Sequence, residues 1–244
     1  MAAGAPSSCG SPHSRQASRM PVTTPPACDS TSPGTSTPSA CEVQRALPAK
    51  NGQTEPMAAN PIGYALRNRH AGHHTLVWAR SDVNAPEGFA LTSPEFEHGG
   101  RIPERFRGKM FGPNVSPALA WTEPPADTIE LVLIVQDPDV PMGKPATHAL
   151  SVGIDPALGG LPEGALANPS PIHGIVHGKG AFGRLGWAGP LPPRSHGPHA
   201  YVFQLFAIDR PMSLAPGFAL DDALHAMRSH VIARARLDGI YESV

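Results

Sequence analysis

Cysteine is scarce in this chain of 244 residues and confined to its start: Cys9, Cys28 and Cys41 are the three, and none follows. Everything beyond Cys41 therefore lacks disulfides, thiolate nucleophiles and cysteine zinc sites. Phe, Trp and Tyr are missing from residues 1–60, where Pro, Ser, Thr, Ala and Gly dominate. A segment so poor in apolar bulk cannot offset a backbone ordering entropy of roughly 1–2 kcal/mol per residue. Residues 1–60 are expected to be a disordered Pro/Ser/Thr-rich tail and 61–244 the folded domain, with 61–88 as its N-terminal extension. No run approaches the ~20 apolar residues of a membrane span, and the first residues lack the basic and apolar regions of a secretory signal. The expectation is a cytoplasmic protein with no transmembrane segment. A basic excess is also absent, since 19 Lys and Arg face 20 Asp and Glu. Arg67, Arg69 and Arg80 are too scattered to track a phosphate backbone, which argues against nucleic acid. No G-x-S-x-G elbow, P-loop or H-E-x-x-H occurs, so the commoner routes to hydrolase chemistry lack their residues.

From Tyr64 onward aromatics appear, and short apolar runs separated by Gly and Pro replace long helical periodicity. Such runs read as strands, expected at 75–78, 89–92, 129–136, 148–154 and 201–208. Loops between them are long, notably 158–183, and long loops often carry function. One helix is expected. Asp221 and Asp222 suit its start, and Leu220, Leu224, Met227 and Val231 recur at intervals of three and four. Arg234 and Arg236 then fall in its last turns and Gly239 ends it.

The most informative stretch is Glu130 to Pro141, where five apolar residues, Leu131 to Val135, break into Asp137-Pro-Asp-Val-Pro141. Side chains alternate faces in extended chain, so Asp137 and Asp139 are expected to point the same way, with Pro138 and Pro141 fixing φ beside them. The pair reads either as the wall of a site or as a turn whose carboxylates accept backbone N–H groups. Histidines gather around this turn in sequence: His148 on the next strand, His173 and His177 in the long loop, and His196 and His199 before the strand at 201–208. Gly178-Lys-Gly-Ala-Phe-Gly183 matches G-x-G-x-x-G, but Gly, Pro and Trp follow where a helix would have to begin, so it reads as a glycine-rich loop.

Five segments taken together carry a resemblance. They are Asn114-Val-Ser-Pro117 with Trp121, Asp137-Pro-Asp-Val-Pro141, His148, Gly186-Trp-Ala-Gly-Pro-Leu-Pro-Pro193, and Gly197-Pro-His199-Ala-Tyr201-Val-Phe. In order and spacing this set resembles the phosphatidylethanolamine-binding protein (PEBP) family, more narrowly its bacterial Raf-kinase-inhibitor-like branch. The resemblance implies a mostly β fold, a PEBP-like β-sandwich of a large and a small sheet, to which the residues add the C-terminal α-helix. It also implies a small anion pocket at one end. Position by position it places Asp137, Asp139, Pro141, His148, Trp187, Gly189, Pro192, His199 and Tyr201 there. Ala200 stands where the family usually has Arg, and Trp187 where Tyr is usual. Pro145-Ala-Thr replaces an aromatic before His148, which implies a wider mouth.

Two carboxylates beside two imidazoles can hold a metal, run acid–base chemistry, or bind an anion through protonated His and oriented N–H groups such as those near Gly189. The resemblance favours the third: a binding protein, not an enzyme, with no cofactor, for phosphate-type groups or phospholipid headgroups. A kinase or protease is then a partner it regulates, and the chain acts as a monomer or homodimer. A phospho- or carboxylesterase using the Asp/His pocket, and a metal-binding protein, are the alternatives. The carboxylates are expected to favour charged imidazoles and so raise the histidine pKa values.

Overall fold

A strand with a continuous apolar run must bury both faces, and β4 (Glu130–Asp137) does so along Leu131 to Val135. In the computed structural model, which describes residues 60–243, the helices are α1 (Pro61–Leu66) and α2 (Leu220–Met227). The other strands are β1 (Leu91–Thr92), β2 (Gly100–Arg101), β3 (Leu119–Trp121), β5 (Ala146–Ile154), β6 (Gly160–Leu161), β7 (Val176–His177), β8 (His199–Ile208) and β9 (Val231–Tyr241). They form a six-stranded sheet in the order β2-β9-β8-β4-β5-β7 and a three-stranded sheet in the order β1-β3-β6. Pairing is antiparallel except between β2 and β9. The expected architecture of a large and a small sheet is therefore present, with a few short helices.

Strand alternation divides the interior into two cores. Leu131, Leu133 and Val135 of β4 join Tyr201, Phe203 and Leu205 of β8 against Leu91, Trp121 and Leu161 of the small sheet. Val132 and Ile134, on the opposite face, pack with Phe206, Ile208 and the Ala223, Leu224 and Met227 stripe of α2. Burying a large apolar side chain contributes roughly 1.5–3 kcal/mol, so β4 and β8 at the centre of both layers carry much of the stability.

Two expected elements are corrected. The helix stops at Met227, and Ser229, at φ 64, turns the chain into β9. From Val231 onward the period becomes two: Ala233, Ala235, Leu237 and Tyr241 are buried, while Arg234 lies over Trp78 on the other face. Gly239 is a strand residue rather than a helix end, and a Cβ there would come within 2.6 Å of Ile102 and 2.7 Å of Phe96. The expected strand at 75–78 is a pair of single 3₁₀ turns, His73–Thr75 and Val77–Ala79. Side chains take the donors a ladder would need. The Val77 N–H donates to Gln136 Oε1 at 2.9 Å and the Trp78 N–H to Gln204 Oε1 at 2.6 Å, while Gln204 Nε2 donates to Gln136 Oε1 at 3.1 Å. Two buried glutamines thus fasten the 60–88 segment to the large sheet. Gln204→Leu should therefore cost about 1–3 kcal/mol by leaving the Trp78 N–H unpaired, lowering the melting temperature by roughly 2–8 °C. A thermal melt that matches wild type would show that the clasp contributes nothing.

The expected disordered tail at 1–60 lies outside the described residues, save for Asn60. The Asn60 side chain caps α1, accepting from the Ile62 and Gly63 N–H groups at 3.0 and 3.3 Å.

Candidate functional site

β4 ends at Asp137, and the following residues leave the extended conformation, so the alternation that would align Asp139 with Asp137 stops there. The two carboxylates diverge. Asp137 is buried; its Oδ1 accepts from the Asp139 N–H at 2.8 Å, and its Oδ2 is 2.7 Å from His199 Nδ1. Asp139 Oδ2 instead accepts from the Ala200 N–H at 2.8 Å, and Oδ1 lies 3.4 Å from His70 Nδ1. Asp139 braces the start of β8 and does not line the cavity.

That cavity, about 490 Å³, is lined by Asp137, Pro141, His148, Gly189, Pro192, His199 and Tyr201 of the expected set, together with Asn114, Lys109 and Arg184. Trp187 is displaced from it: its ring is buried and stacks on Phe203 at 5.8 Å between centroids, in the core behind the pocket. Gly189 is at the wall because nothing larger fits, since a Cβ would come within 2.3 Å of the Phe106 carbonyl. Its N–H donates to Asn114 Oδ1 at 2.8 Å, so it is not the free anion donor expected near this glycine. Asn114, at φ 59, also donates from Nδ2 to the Trp187 carbonyl at 2.9 Å. It thereby ties the 107–114 and 186–193 loops together. Asparagine tolerates that left-handed conformation, and Asn114 had stood in the family-like motif without being chosen as a site residue.

The polar atoms of the pocket divide into engaged and available. His199 uses both nitrogens, Nδ1 on Asp137 and Nε2 on His196 Nδ1 at 2.8 Å. His196 is the residue the sequence reading passed over; its place three positions before His199 was the available signal. Its ring also meets His70 edge-on at 5.4 Å. His148 Nδ1 lies 2.6 Å from the Ala188 carbonyl, which can only accept, so Nδ1 carries the proton. The buried phenolic oxygen of Tyr201 makes no hydrogen bond of ordinary geometry among the described residues, although the Leu191 backbone lies close enough to act on it; its ring touches that of His148 edge-to-face at 4.9 Å. His173 is exposed in the long loop, and His177 is held by Ser151 and the Ala167 carbonyl, so neither joins the pocket.

Burial sets the electrostatics. It lowers the His148 pKa, outweighing the nearby Asp137 charge that would raise it, which reverses the expected direction. Burial, followed by the charge of His199, lowers His196. Burial, reinforced by Asp137, pushes the Tyr201 phenol well above its ordinary value, keeping it a neutral O–H donor. Among the described residues no group of three or more His, Cys, Asp or Glu is placed to hold a metal.

A two-layer β-sandwich with a polar-floored cavity at the ends of its central strands is the architecture of a small-ligand binding protein. Residues 92–242 match the family described as phosphatidylethanolamine-binding protein, and the chain belongs to that family. It is 39% identical to a UPF0098 protein of Methanothermobacter thermautotrophicus over 62% of this chain and 97% of that one. It is 35% identical to a Mycobacterium tuberculosis protein named as a lipoprotein, LppC, over 69% of this chain and 79% of that one. Among solved structures it resembles a Chlamydia trachomatis PEBP homologue, with TM-score 0.58 and 33% identity over 65% of this chain and 99% of that one. It likewise resembles Escherichia coli YbcL, with TM-score 0.60 and 28% identity over 64% and 99%. Among the described residues no helix is long and apolar enough to cross a membrane.

Proposed function

We propose that the cavity binds a small anion of phosphate type, free or as a headgroup, without turning it over. The observation that carries this is the buried Tyr201 phenol, which makes no hydrogen bond of ordinary geometry at the wall of a cavity it shares with His148, while Asp137 and His199 are bonded to each other. An unpaired polar atom in such a place is costly and calls for a ligand or water. A phosphoryl oxygen accepts from Tyr201 and, once Nε2 is protonated, from His148, with Lys109 and Arg184 at the mouth adding positive charge. The esterase alternative needs His199 as a base, and both of its nitrogens are engaged. Regulation of a kinase or protease is proposed only as a consequence of occupying this mouth. A cytoplasmic location accords with a described region that contains no cysteine; cell fractionation tests it, and the relative named as a lipoprotein marks the contrary outcome.

Calorimetry with phenyl phosphate tests the site. Tyr201→Phe should weaken binding about tenfold or more, because a hydrogen bond to a charged group contributes roughly 1.5–3 kcal/mol. Unchanged affinity in both Tyr201→Phe and His148→Ala removes the pocket assignment. Incubation with chromogenic phosphate and acyl esters should give no turnover, and turnover that disappears in His199→Ala overturns the binding reading.

A further inference from the structure

Five side chains from three segments close a ring behind the cavity. Asp137 Oδ2 meets His199 Nδ1 at 2.7 Å, His199 Nε2 meets His196 Nδ1 at 2.8 Å, and His196 meets His70 edge-on at 5.4 Å between centroids. His70 Nδ1 lies 3.4 Å from Asp139 Oδ1, and the Asp139 N–H returns to Asp137 Oδ1 at 2.8 Å. His199 and His196 are buried, whereas the His70 side chain is 40% exposed, so the ring runs from the cavity wall to the surface. His70 arrives on residues 60–70, which precede the part of the chain that matches the family at 92–242.

Hydrogen-bond roles fix how many protons the His196–His199 pair can hold. A carboxylate only accepts, so His199 Nδ1 carries a proton toward Asp137. The contact between His199 Nε2 and His196 Nδ1 needs one proton, and two would face each other across 2.8 Å. The outer nitrogen, His196 Nε2, is buried and makes no hydrogen bond of ordinary geometry among the described residues. The Leu66 and Arg69 backbone nevertheless acts on it in the sense that favours a proton there. One proton beyond neutrality satisfies every atom. His199 then donates from both nitrogens, to Asp137 and to His196 Nδ1, and His196 Nε2–H points at the 60–70 backbone. A further proton has no place except His196 Nδ1, against the His199 N–H.

The other ties on 60–70 are slight. α1 is six residues long, too short to stand alone; Gly63 is its one buried residue, and Ile62 and Tyr64 are exposed. The Asn60 N–H donates to Ser195 Oγ at 2.9 Å. Beyond His70 the chain is fastened separately, by the Ala71 and Gly72 N–H groups on the Val140 and Pro138 carbonyls at 3.0 and 2.9 Å and by Gln136 and Gln204. We propose that residues 60–70 are an acid-released strap, which stays down while the His196–His199 pair holds one shared proton and lifts, as far as Ala71, when His196 takes a second. No carboxylate is left to receive that proton. Asp137 and Asp139 are engaged by His199 and His70, and neither 60–74 nor 192–199 contains an acidic residue, while Arg67, Arg69, His73, His74 and Arg194 lie on those segments. Across the cavity His148 senses Asp137 and His199, and Tyr201 senses Asp137 and Asp139. Burial, then the His199 charge, lowers the His196 pKa while the strap is down, and lifting wets the ring and restores its ordinary value, so acid favours the lifted state. The device stands on this cluster and not on the proposed anion site.

The test is hydrogen exchange of the full chain read by mass spectrometry, in phosphate-free buffer and with labelling times scaled to the intrinsic exchange rate at each pH. The Tyr64 and Arg69 amides are hydrogen-bonded at 3.0 and 2.8 Å while the strap is down, and lifting frees them because α1 cannot persist alone. From about pH 7.5 to about pH 5.5 the 61–70 peptide should lose about tenfold in protection, all of it below about pH 6.5, since lifting takes up one proton. A β4 peptide, 131–136, should keep its protection. His196→Asn still accepts from His199 but cannot titrate, so its 61–70 protection should be equal at the two pH values. His196→Arg is always charged and should show at about pH 7.5 the low protection that wild type reaches at about pH 5.5. The strap is overturned if wild-type 61–70 protection does not change with pH or if β4 loses protection in step with it. It is equally overturned if His196→Asn keeps the acid loss, or if His196→Arg is as protected at about pH 7.5 as wild type.

Discussion

Asp137→Ala is expected to lower the unfolding free energy by about 3–5 kcal/mol, because removing the buried carboxylate leaves two buried donors, the Asp139 N–H and the His199 imidazole, without their acceptor. The carboxylate is almost wholly buried and serves the Asp139 N–H at 2.8 Å and His199 Nδ1 at 2.7 Å. His199 is itself fully buried, so the lost oxygen can be replaced only by water from the adjoining cavity, which both residues line. In a domain of this size the loss corresponds to a melting temperature lower by roughly 10 °C or more. Asp137→Asn should not rescue it fully: one amide oxygen can serve one donor, while the NH₂ group faces the other. Asp139→Ala should cost less, since Asp139 is only half-buried and its His70 contact is long at 3.4 Å. Urea unfolding of the three variants reads the order directly. A loss below about 1 kcal/mol for Asp137→Ala would show that the pair is not the keystone of this end of the sheet.

The contrast between Asp137 and Asp139 also marks how far the sequence could be read. β4, β5 and β8 were legible because an apolar run between turn residues has one physical solution, burial in a sheet. The cavity lining was legible through five family-like segments, which brought Asp137, His148, His199 and Tyr201 together. Illegible features depended on what the chain does after an element ends. Alternation predicted that Asp139 would share a face with Asp137, and the strand stopped one residue after Gln136. The three-and-four spacing of α2 ran by coincidence into Val231, so β9 was read as more helix. His196 depended on a contact between a loop side chain and the first residue of β8, signalled only by their spacing of three, and the cavity rim on three loops meeting in space, which has no local signature. Trp187 was placed at the mouth by analogy, whereas its ring turned inward onto Phe203.

Affinity for a singly charged anion should fall as pH rises, by up to about tenfold per unit, because binding requires a proton on His148 Nε2. Burial lowers the His148 pKa in the free pocket, and an anion on Nε2 favours the charged ring and raises it again. Affinity therefore declines as pH climbs through the lowered free value and levels off only above the anion-bound value. A phosphate ester titrates near pH 6 on its own account, so phenyl sulfate, which keeps one charge throughout, is the cleaner probe. Stability without ligand should move the other way. His148, His177 and His196 are all lowered by burial, so the folded chain binds fewer protons than the unfolded chain as pH falls below about 6.5. The stability these neutral rings support is complete above that value and is lost progressively toward their lowered values. Glu130, whose carboxyl burial raises, acts with the opposite sign and adds stability as pH falls toward the carboxylate range. Saturating phenyl sulfate should shrink the acid-side loss without abolishing it, since His177 lies outside the pocket and stays uncompensated. Calorimetry and thermal melts from about pH 5.5 to about pH 8, on wild type and His148→Gln, separate the two effects. A flat affinity in wild type, or a slope that persists in His148→Gln, would show that the proton resides elsewhere, and His196, one hydrogen bond beyond His199, is then the group to replace next.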